Sequence, residues 1–138
     1  MDEAAIAKYI TDTFAGVETS VAYGATFFFF DPAKMFPFAT ITATDENDTA
    51  SDLSRPGVFR LNVGVSKQTF QSLFADADAE YDFTALDRLM PHPVYGKMYW
   101  VCVLNPGEET FKTVQQLLVE AYDMAVRKRA KTKPADEA

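Results

Sequence analysis

The sequence contains few of the residues that most often carry chemistry: its 138 residues include one cysteine, one histidine and one tryptophan. Cys102 has no partner for an internal disulfide, which fits a reducing compartment. No apolar run approaches the roughly 18 residues that a membrane helix needs. No apolar segment follows the acidic start at Met1–Glu3, so we expect no secretory signal, no membrane association and a cytoplasmic location.

Glycine is also sparse, and the six glycines are scattered instead of forming a loop that cradles a phosphate. We therefore predict no nucleotide cofactor, and no other cofactor. The acidic segments Asp45–Asp52 and Asp76–Asp82 lack the central glycine and the later bidentate glutamate of a calcium loop, so we expect solvated loops there. No second histidine completes a usual metal site. We predict no bound metal.

Basic residues are outnumbered, with 13 Lys and Arg against 20 Asp and Glu and a net charge of −7. Five of the basic residues lie between Arg127 and Lys133. Without residues 127–138 the count is 8 basic against 18 acidic residues, a net charge of −10. Because proteins bind a phosphate backbone largely through Lys and Arg, nucleic acid is an unfavourable partner, and DNA binding through the basic tail ranks third among the hypotheses.

The chain is long enough for one domain and, with 48% apolar residues, is composed like an ordinary globular one. We predict a single domain over residues 1–131 and a disordered tail over residues 132–138. The tail has no apolar stripe to dock, so a chain cut after Lys131 is expected to keep its melting temperature.

Three stretches have helical spacing of apolar residues. The first covers residues 2–15, with Asp2 as its cap and Gly16 as its stop. The second follows a cap at Ser66 and buries Phe70, Leu73 and Phe74. The third follows Asn105–Glu108, with Asn105 as the capping residue, and runs to about Arg129. Residues 83–90 are expected to add a helical turn or two.

Four stretches predict strands: residues 26–30, 38–44, 58–65 and 98–104. The first two should form an antiparallel hairpin, and the polar residues 45–57 should form a loop. Short strands with hairpin-like connections favour an antiparallel sheet. The predicted fold is therefore an α+β two-layer sandwich, with about four or five strands and the N- and C-terminal helices packed on one face.

Several segments resemble known families. Four of them resemble the MmcQ/YjbR-like proteins, which are small bacterial proteins with a frataxin-like fold; these segments are Phe14–Glu18, Lys34–Phe36, Arg60–Phe74 and Glu120–Asp123. Two further segments, Arg55–Ser66 and Pro91–Gly96, are more closely similar to an uncharacterised actinobacterial family of similar length. The resemblance implies the same two-layer fold and brings no established activity. The DNA-binding label often given to MmcQ/YjbR-like proteins is opposed here by the acidic charge.

A candidate binding surface follows from strand alternation. Phe59, Leu61 and Val63 should face the helices, which sends Arg60 and Asn62 to the opposite face. Thr40, Thr42 and Trp100 should join them there, and the segment Pro91–Lys97 can fold over this face as a lid. The predicted ligand-binding residues are Arg60, Asn62, His92, Tyr95 and Trp100, which combine the amide, aromatic and arginine groups of a recognition surface.

From this surface we expect a non-enzymatic domain, monomeric or homodimeric, that binds a small molecule or a protein partner. An exposed Arg60 predicts that Arg60→Ala changes the stability by under roughly 1 kcal/mol while it removes ligand or partner binding. The competing arrangement, a fully buried ion pair, predicts a loss of roughly 3–5 kcal/mol, and in that case the surface hypothesis fails.

The rival hypothesis is an enzyme or resistance-type accessory protein that uses His92, with Arg60 as an anion clamp. A single histidine can act as an acid or base near neutral pH. However, His92 has no serine or cysteine at a recognised nucleophile spacing, and a role in loop packing or ligand contact is left open beside catalysis. Cys102 lies mid-strand without a basic neighbour and is expected to be structural. We therefore assign no catalytic residue.

Overall fold

The computed structural model describes residues 1–30, 34–76 and 79–132. Within them the chain forms three helices, which are α1 (Glu3–Thr13), α2 (Lys67–Leu73) and α3 (Glu108–Thr132). It also forms six strands, which are β1 (Glu18–Ala22), β2 (Ala25–Phe29), β3 (Ala39–Thr42), β4 (Arg60–Gly64), β5 (Met90–Pro91) and β6 (Trp100–Leu104). This confirms the predicted α+β class.

One open sheet contains the six strands in the order β1-β2-β3-β4-β6-β5, and every neighbouring pair is antiparallel. The expected pairing of β2 with β3 is confirmed, with Phe28 opposite Ala39. The sheet has more strands than predicted, because β1 extends one edge and β5 the other. Neither strand has a strong local pattern: β1 is mostly exposed, and β5 is two residues long.

The helical turn expected in residues 83–90 is wrong. The segment instead makes turns and ends in β5, where Met90 pairs with Cys102 and is fully buried. The predicted last strand is also shorter than expected. A 3-10 turn occupies Gly96–Met98, and Tyr99 takes a left-handed conformation (φ 66°), so that β6 begins only at Trp100.

Two of the predicted helix caps are confirmed. Asp2 accepts a hydrogen bond from the Ala5 N–H at 2.8 Å, and Ser66 accepts one from the Thr69 N–H at 3.1 Å. These side chains satisfy main-chain donors that the first helical turn leaves free. The carboxylate of Glu120 on α3 accepts from the hydroxyl groups of Ser66 and Thr69, which fixes α2 against α3.

The cap predicted for the third helix is wrong. Helix α3 begins at Glu108, and Asn105 lies in front of it with a left-handed conformation. The Asn105 Oδ1 accepts from the Phe59 N–H at 3.0 Å, and its Nδ2 donates to the Gly57 carbonyl at 2.9 Å. This amide therefore satisfies the main chain that enters β4, a partner 46 residues away that local spacing does not reveal.

The main core lies between the sheet and the helices. It contains Ile6 and Ile10 of α1, Leu61 and Val63 of β4, and a row of α3 side chains that includes Phe111, Val114 and Leu118. The predicted packing of the terminal helices on one face is thereby confirmed. A smaller apolar cluster of Leu53, Met90, Cys102 and Leu104 lies on the other face, which is consequently not fully open.

Across the part of the chain that the structure describes, no helix combines the length and apolar character needed to cross a membrane. Thr132, the first residue of the predicted tail, belongs to α3. The rest of that tail, residues 133–138, and part of the predicted acidic loop, residues 77–78, lie outside the described residues.

Candidate functional site

A pocket of about 400 Å³ opens on the sheet face that points away from the helices. Its floor comes from β2, β3, β4 and β6, and its walls come from the loop after β3 and the segment after β5. The lining residues are Ala25, Phe27, Pro37, Thr40, Thr42, Asn47, Asp48, Arg60, Asn62, His92, Tyr95, Met98 and Trp100. All five predicted ligand-binding residues therefore line one pocket, although the sequence separates them by up to 40 positions.

Arg60 lies at the base of the pocket and is only 1% exposed. The expectation of an exposed arginine is therefore wrong, and the open recognition surface that was predicted to depend on an exposed Arg60 fails with it. Its two guanidinium Nη atoms hold the Asp48 carboxylate in a bidentate pair, with Nη1 to Oδ1 at 3.0 Å and Nη2 to Oδ2 at 2.8 Å. Nη1 also donates to the Ser51 hydroxyl at 3.0 Å, and Nε donates to the Asn62 Oδ1 at 2.9 Å. Burial is possible because these acceptors replace water around the charge.

Asn62 extends this network along the floor of the pocket. Its Nδ2 donates to the hydroxyl oxygens of Thr40 at 2.9 Å and Thr42 at 3.0 Å, both on the neighbouring strand β3. The register explains these contacts, because Asn62 is paired with Thr40 and Arg60 with Thr42. The two threonines thus act as acceptors toward Asn62, which leaves their hydroxyl hydrogens free to point elsewhere.

His92 follows β5 and is 6% exposed. Its main-chain N–H donates to the Trp100 carbonyl, which continues the pairing of β5 with β6. The ring Nδ1 accepts from the N–H groups of Val94 and Tyr95, each at 3.0 Å. An Nδ1 that accepts two hydrogen bonds carries no hydrogen, so the neutral ring carries its hydrogen on Nε2. That Nε2 lies 3.4 Å from the Arg60 Nη2.

The electrostatics of the pocket follow from this burial. Burial, together with the positive charge of Arg60, lowers the pKa of His92 to about 4 despite the opposing influence of Asp48. Hydrogen bonds from Arg60 hold the pKa of the Asp48 carboxyl below its usual range. Near neutral pH the site therefore contains a charge-balanced Arg60–Asp48 pair and an uncharged histidine.

Apolar side chains form the opposite wall. Trp100 is partly exposed, and its indole packs on Gly64, the residue paired with it across β4 and β6. Phe27 of β2, Pro37 and the exposed Met98 complete this wall, and the Tyr95 ring lies 5.1 Å from the His92 ring at the rim. The pocket thus pairs a polar floor with an aromatic and aliphatic wall.

Sequence reasoning missed Asp48, Ser51 and Phe27. Asp48 and Ser51 belong to the loop 45–57, which was expected to be solvated throughout. Instead Ser51 is fully buried and the Asp48 side chain is 15% exposed. An arginine in the middle of a strand is a signal that an acidic partner is needed, but the sequence contains 20 acidic residues and gives no means of choosing among them.

Neither a metal site nor an activated thiol is found among the residues that the structure describes. No group of three or more His, Cys, Asp or Glu side chains is placed there to hold a metal ion. Cys102 is fully buried, and burial raises the pKa of its thiol to about 12. This agrees with the structural role expected for it.

These features define a class of protein: a small α+β domain with a mixed polar and aromatic pocket on the sheet face opposite its helices. The chain belongs to a family of unknown function (DUF6194), whose model matches residues 1–134. The predicted membership of an uncharacterised family is thereby confirmed, whereas its actinobacterial origin and the more distant resemblance to MmcQ/YjbR-like proteins stay predictions. No curated protein matches the chain.

Proposed function

We propose that this chain is a binding domain for a small molecule, which occupies the pocket above Arg60, Asn62 and Trp100. The observation that carries this proposal is the combination of a pocket of about 400 Å³ with a polar floor and an apolar wall. Small-molecule sites usually occupy concave volumes of about 300–1,000 Å³, with a few fixed polar groups among apolar side chains. A protein partner, in contrast, usually requires a broader buried surface.

The polar groups of the floor are held in position before any ligand arrives. Arg60 is fixed by Asp48, Ser51 and Asn62, and the His92 ring is fixed by two main-chain N–H groups. A site that needs little reordering loses less conformational entropy on binding. This preorganisation supports a ligand site more than an accidental cleft.

The rival enzyme hypothesis has weaker support from the same contacts. The Nδ1 of His92 already accepts two hydrogen bonds and the ring has a depressed pKa, so His92 is a poor general base. Asp48 also has a lowered pKa because Arg60 stabilises its charged form, and the Cys102 thiol is buried. The groups around the pocket are therefore better suited to orienting a ligand than to moving its protons.

A ligand screen tests the proposal. Trp100 is the sole tryptophan of the chain and lines the pocket, so its fluorescence reports binding directly. We expect a metabolite library to give at least one compound that raises the melting temperature and changes this fluorescence in a saturable manner.

Two variants locate the binding site. Phe27→Ala removes part of the apolar wall of the pocket. The affinity for the compound identified in the screen should fall by about tenfold, because one buried apolar contact is lost. Val21→Ala, at an exposed position on β1, is the matched control and should leave the affinity unchanged. Equal binding by both variants, or a library without a saturable compound, would reject the pocket as the functional site.

A further inference from the structure

The polar floor of the pocket presents two hydrogen-bond donors for which the described residues supply no acceptor. Arg60 has five N–H groups, of which four reach the acceptors Asn62 Oδ1, Ser51 Oγ and the two carboxylate oxygens of Asp48. The fifth, on Nη2, is directed at the His92 Nε2 at 3.4 Å. Because the His92 Nδ1 accepts from Val94 and Tyr95, Nε2 also carries a hydrogen.

The Arg60 Nη2 and the His92 Nε2 are therefore two donors facing each other, and neither satisfies the other. Both residues are nearly fully buried and both line the pocket. Two buried donors without an acceptor are unfavourable, whereas one oxygen with two lone pairs can accept from both. One oxygen can lie within hydrogen-bond distance, about 2.9 Å, of both nitrogens, because the nitrogens are only 3.4 Å apart.

The charges around Arg60 and His92 determine whether a charged or an uncharged acceptor oxygen is favoured there. Asp48 already neutralises Arg60 and lines the same pocket. A ligand carboxylate would have to share one guanidinium with the Asp48 carboxylate, in a chain with a net charge of −7. An uncharged carbonyl oxygen meets both donors without this repulsion. An ammonium group would present a third donor and could not satisfy either.

We infer that the ligand presents an uncharged acceptor oxygen, such as a ketone or amide carbonyl, to Arg60 Nη2 and His92 Nε2. The body attached to that oxygen is apolar and flat, because it lies against Phe27, Met98 and Trp100. This inference rests on the proposed function and adds the chemical class of the ligand to it.

The tautomer of His92 tests the basis of the inference without any ligand. His92 is the sole histidine, so the imidazole region of a long-range nitrogen–proton NMR spectrum contains one unambiguous pattern. At about pH 7 we expect a neutral ring with its hydrogen on Nε2, the tautomer fixed by the two hydrogen bonds to Nδ1. A hydrogen on Nδ1, or a charged ring, would overturn the inference.

Three matched fragments then test the ligand class on the intact chain: acetophenone, benzoate and 1-phenylethylamine, which present a carbonyl, a carboxylate and an ammonium group on the same ring. Binding is followed by NMR titration, since fragments of this size are expected to bind at millimolar concentrations. We expect acetophenone to bind about tenfold more tightly than either of the others. Equal or tighter binding of the charged fragments would overturn the inference while leaving the proposed function intact.

A substitution at His92 distinguishes the role of its Nε2–H donor from the role of its Nδ1 in holding the main chain of Val94 and Tyr95. In His92→Asn, the Asn Oδ1 takes the place of Nδ1 as acceptor for Val94 and Tyr95. The Asn Nδ2 then takes the place of the ring carbon Cδ2, so its donors do not reach the position of Nε2. Acetophenone should bind this variant about tenfold more weakly. The control is Val119→Ala, at an exposed position of α3 that does not line the pocket, and it should bind acetophenone as the native chain does. If none of the three fragments binds the native chain, the inference is rejected, and the metabolite screen decides the proposed function separately.

Discussion

Arg60 connects the stability of the fold to the shape of the pocket. Its guanidinium holds two loop residues, Asp48 and Ser51, and one strand residue, Asn62. Asp48 and Asn62 line the pocket with it. A buried arginine of this kind is unfavourable unless each of its donors finds an acceptor. The same side chain therefore determines where the loop 45–57 lies and which polar atoms face the ligand space.

We predict that Arg60→Ala lowers the free energy of unfolding by about 3–5 kcal/mol, because it leaves the Asp48 carboxylate without its counter-charge in a largely buried position. Urea denaturation measures this loss. The matched control is Lys112→Ala, which breaks an exposed ion pair with Glu109 and should cost no more than about 1 kcal/mol. A loss below about 1 kcal/mol for Arg60→Ala would contradict the buried pair and favour the exposed arginine that the sequence predicts.

His92 gives the fold a dependence on pH. Its pKa is lowered from the ordinary value of 6.5 to about 4, mainly by burial and further by Arg60. Between these two values the unfolded chain takes up a proton that the folded chain does not. The free energy of unfolding therefore falls as the pH falls through this window, and the full contribution is present above about pH 6.5.

We predict that the free energy of unfolding of the native chain, minus that of the His92→Asn variant, falls by about 2–3 kcal/mol between about pH 7 and about pH 4. The comparison cancels the carboxyl groups that do not interact with His92. The difference therefore reports the imidazole together with its interaction with Asp48. Urea denaturation of both proteins across this range provides the measurement. Parallel stability profiles would show that the pKa of His92 is not depressed in the folded chain.

At the level of secondary-structure elements, the pairing of β4 with β6 positions the tryptophan of the pocket. Gly64 lies directly opposite Trp100, and a Cβ built on Gly64 would lie 3.1 Å from the nearest indole carbon. That distance is tighter than an ordinary van der Waals contact. The absence of a side chain at the end of β4 therefore lets the indole lie flat against the strand and form the pocket wall.

We predict that Gly64→Ala displaces the indole and destabilises the fold by about 1–3 kcal/mol, the usual range for overpacking. The emission maximum of the single tryptophan should move, and the melting temperature should fall. Gly96→Ala is the matched control, because its Cβ would meet Pro91 at 3.5 Å, an ordinary contact. If both variants leave the fluorescence unchanged, Trp100 does not lie against Gly64.

At the level of the whole molecule, charge is the property that limits the choice of partner. The chain carries a net charge of −7, and five of its 13 basic residues lie between residues 127 and 133. The pocket itself is charge-balanced through the Arg60–Asp48 pair. Neither the negative net charge nor the charge-balanced pocket favours contact with a phosphate backbone, whose affinity for proteins depends on several Lys and Arg contacts.

We therefore predict that the chain forms no discrete complex with duplex DNA in a gel-shift assay at about 150 mM salt and micromolar protein. Replacing Arg127, Lys128 and Arg129 by alanine should leave this result unchanged. A sharp shift at nanomolar protein, lost in the triple variant, would instead establish DNA binding through the basic segment.

The sequence by itself determined the elements with strong local patterns and, in β3, β4 and β6, the face of the sheet to which alternate residues point. Alternation placed Leu61 and Val63 toward the helices and sent Arg60 and Asn62 to the other face, as the structure confirms. A period of two or 3.6 residues is a property of the backbone, so it can be read within a window of a few residues. The same rule brought Arg60, Asn62 and Trp100 to one side of the sheet.

Only the tertiary structure decided which of these side chains are buried and what they contact. The partner of Arg60 lies 12 residues away in a loop without periodicity, and the partner of Asn105 lies 46 residues away on the main chain. Strand β5 exists because Met90 and Pro91 pair with β6, a contact that overrides their weak local preference. Burial and long-range hydrogen bonds depend on which distant segments pack against each other. The local spacing of residues along the chain does not determine that packing.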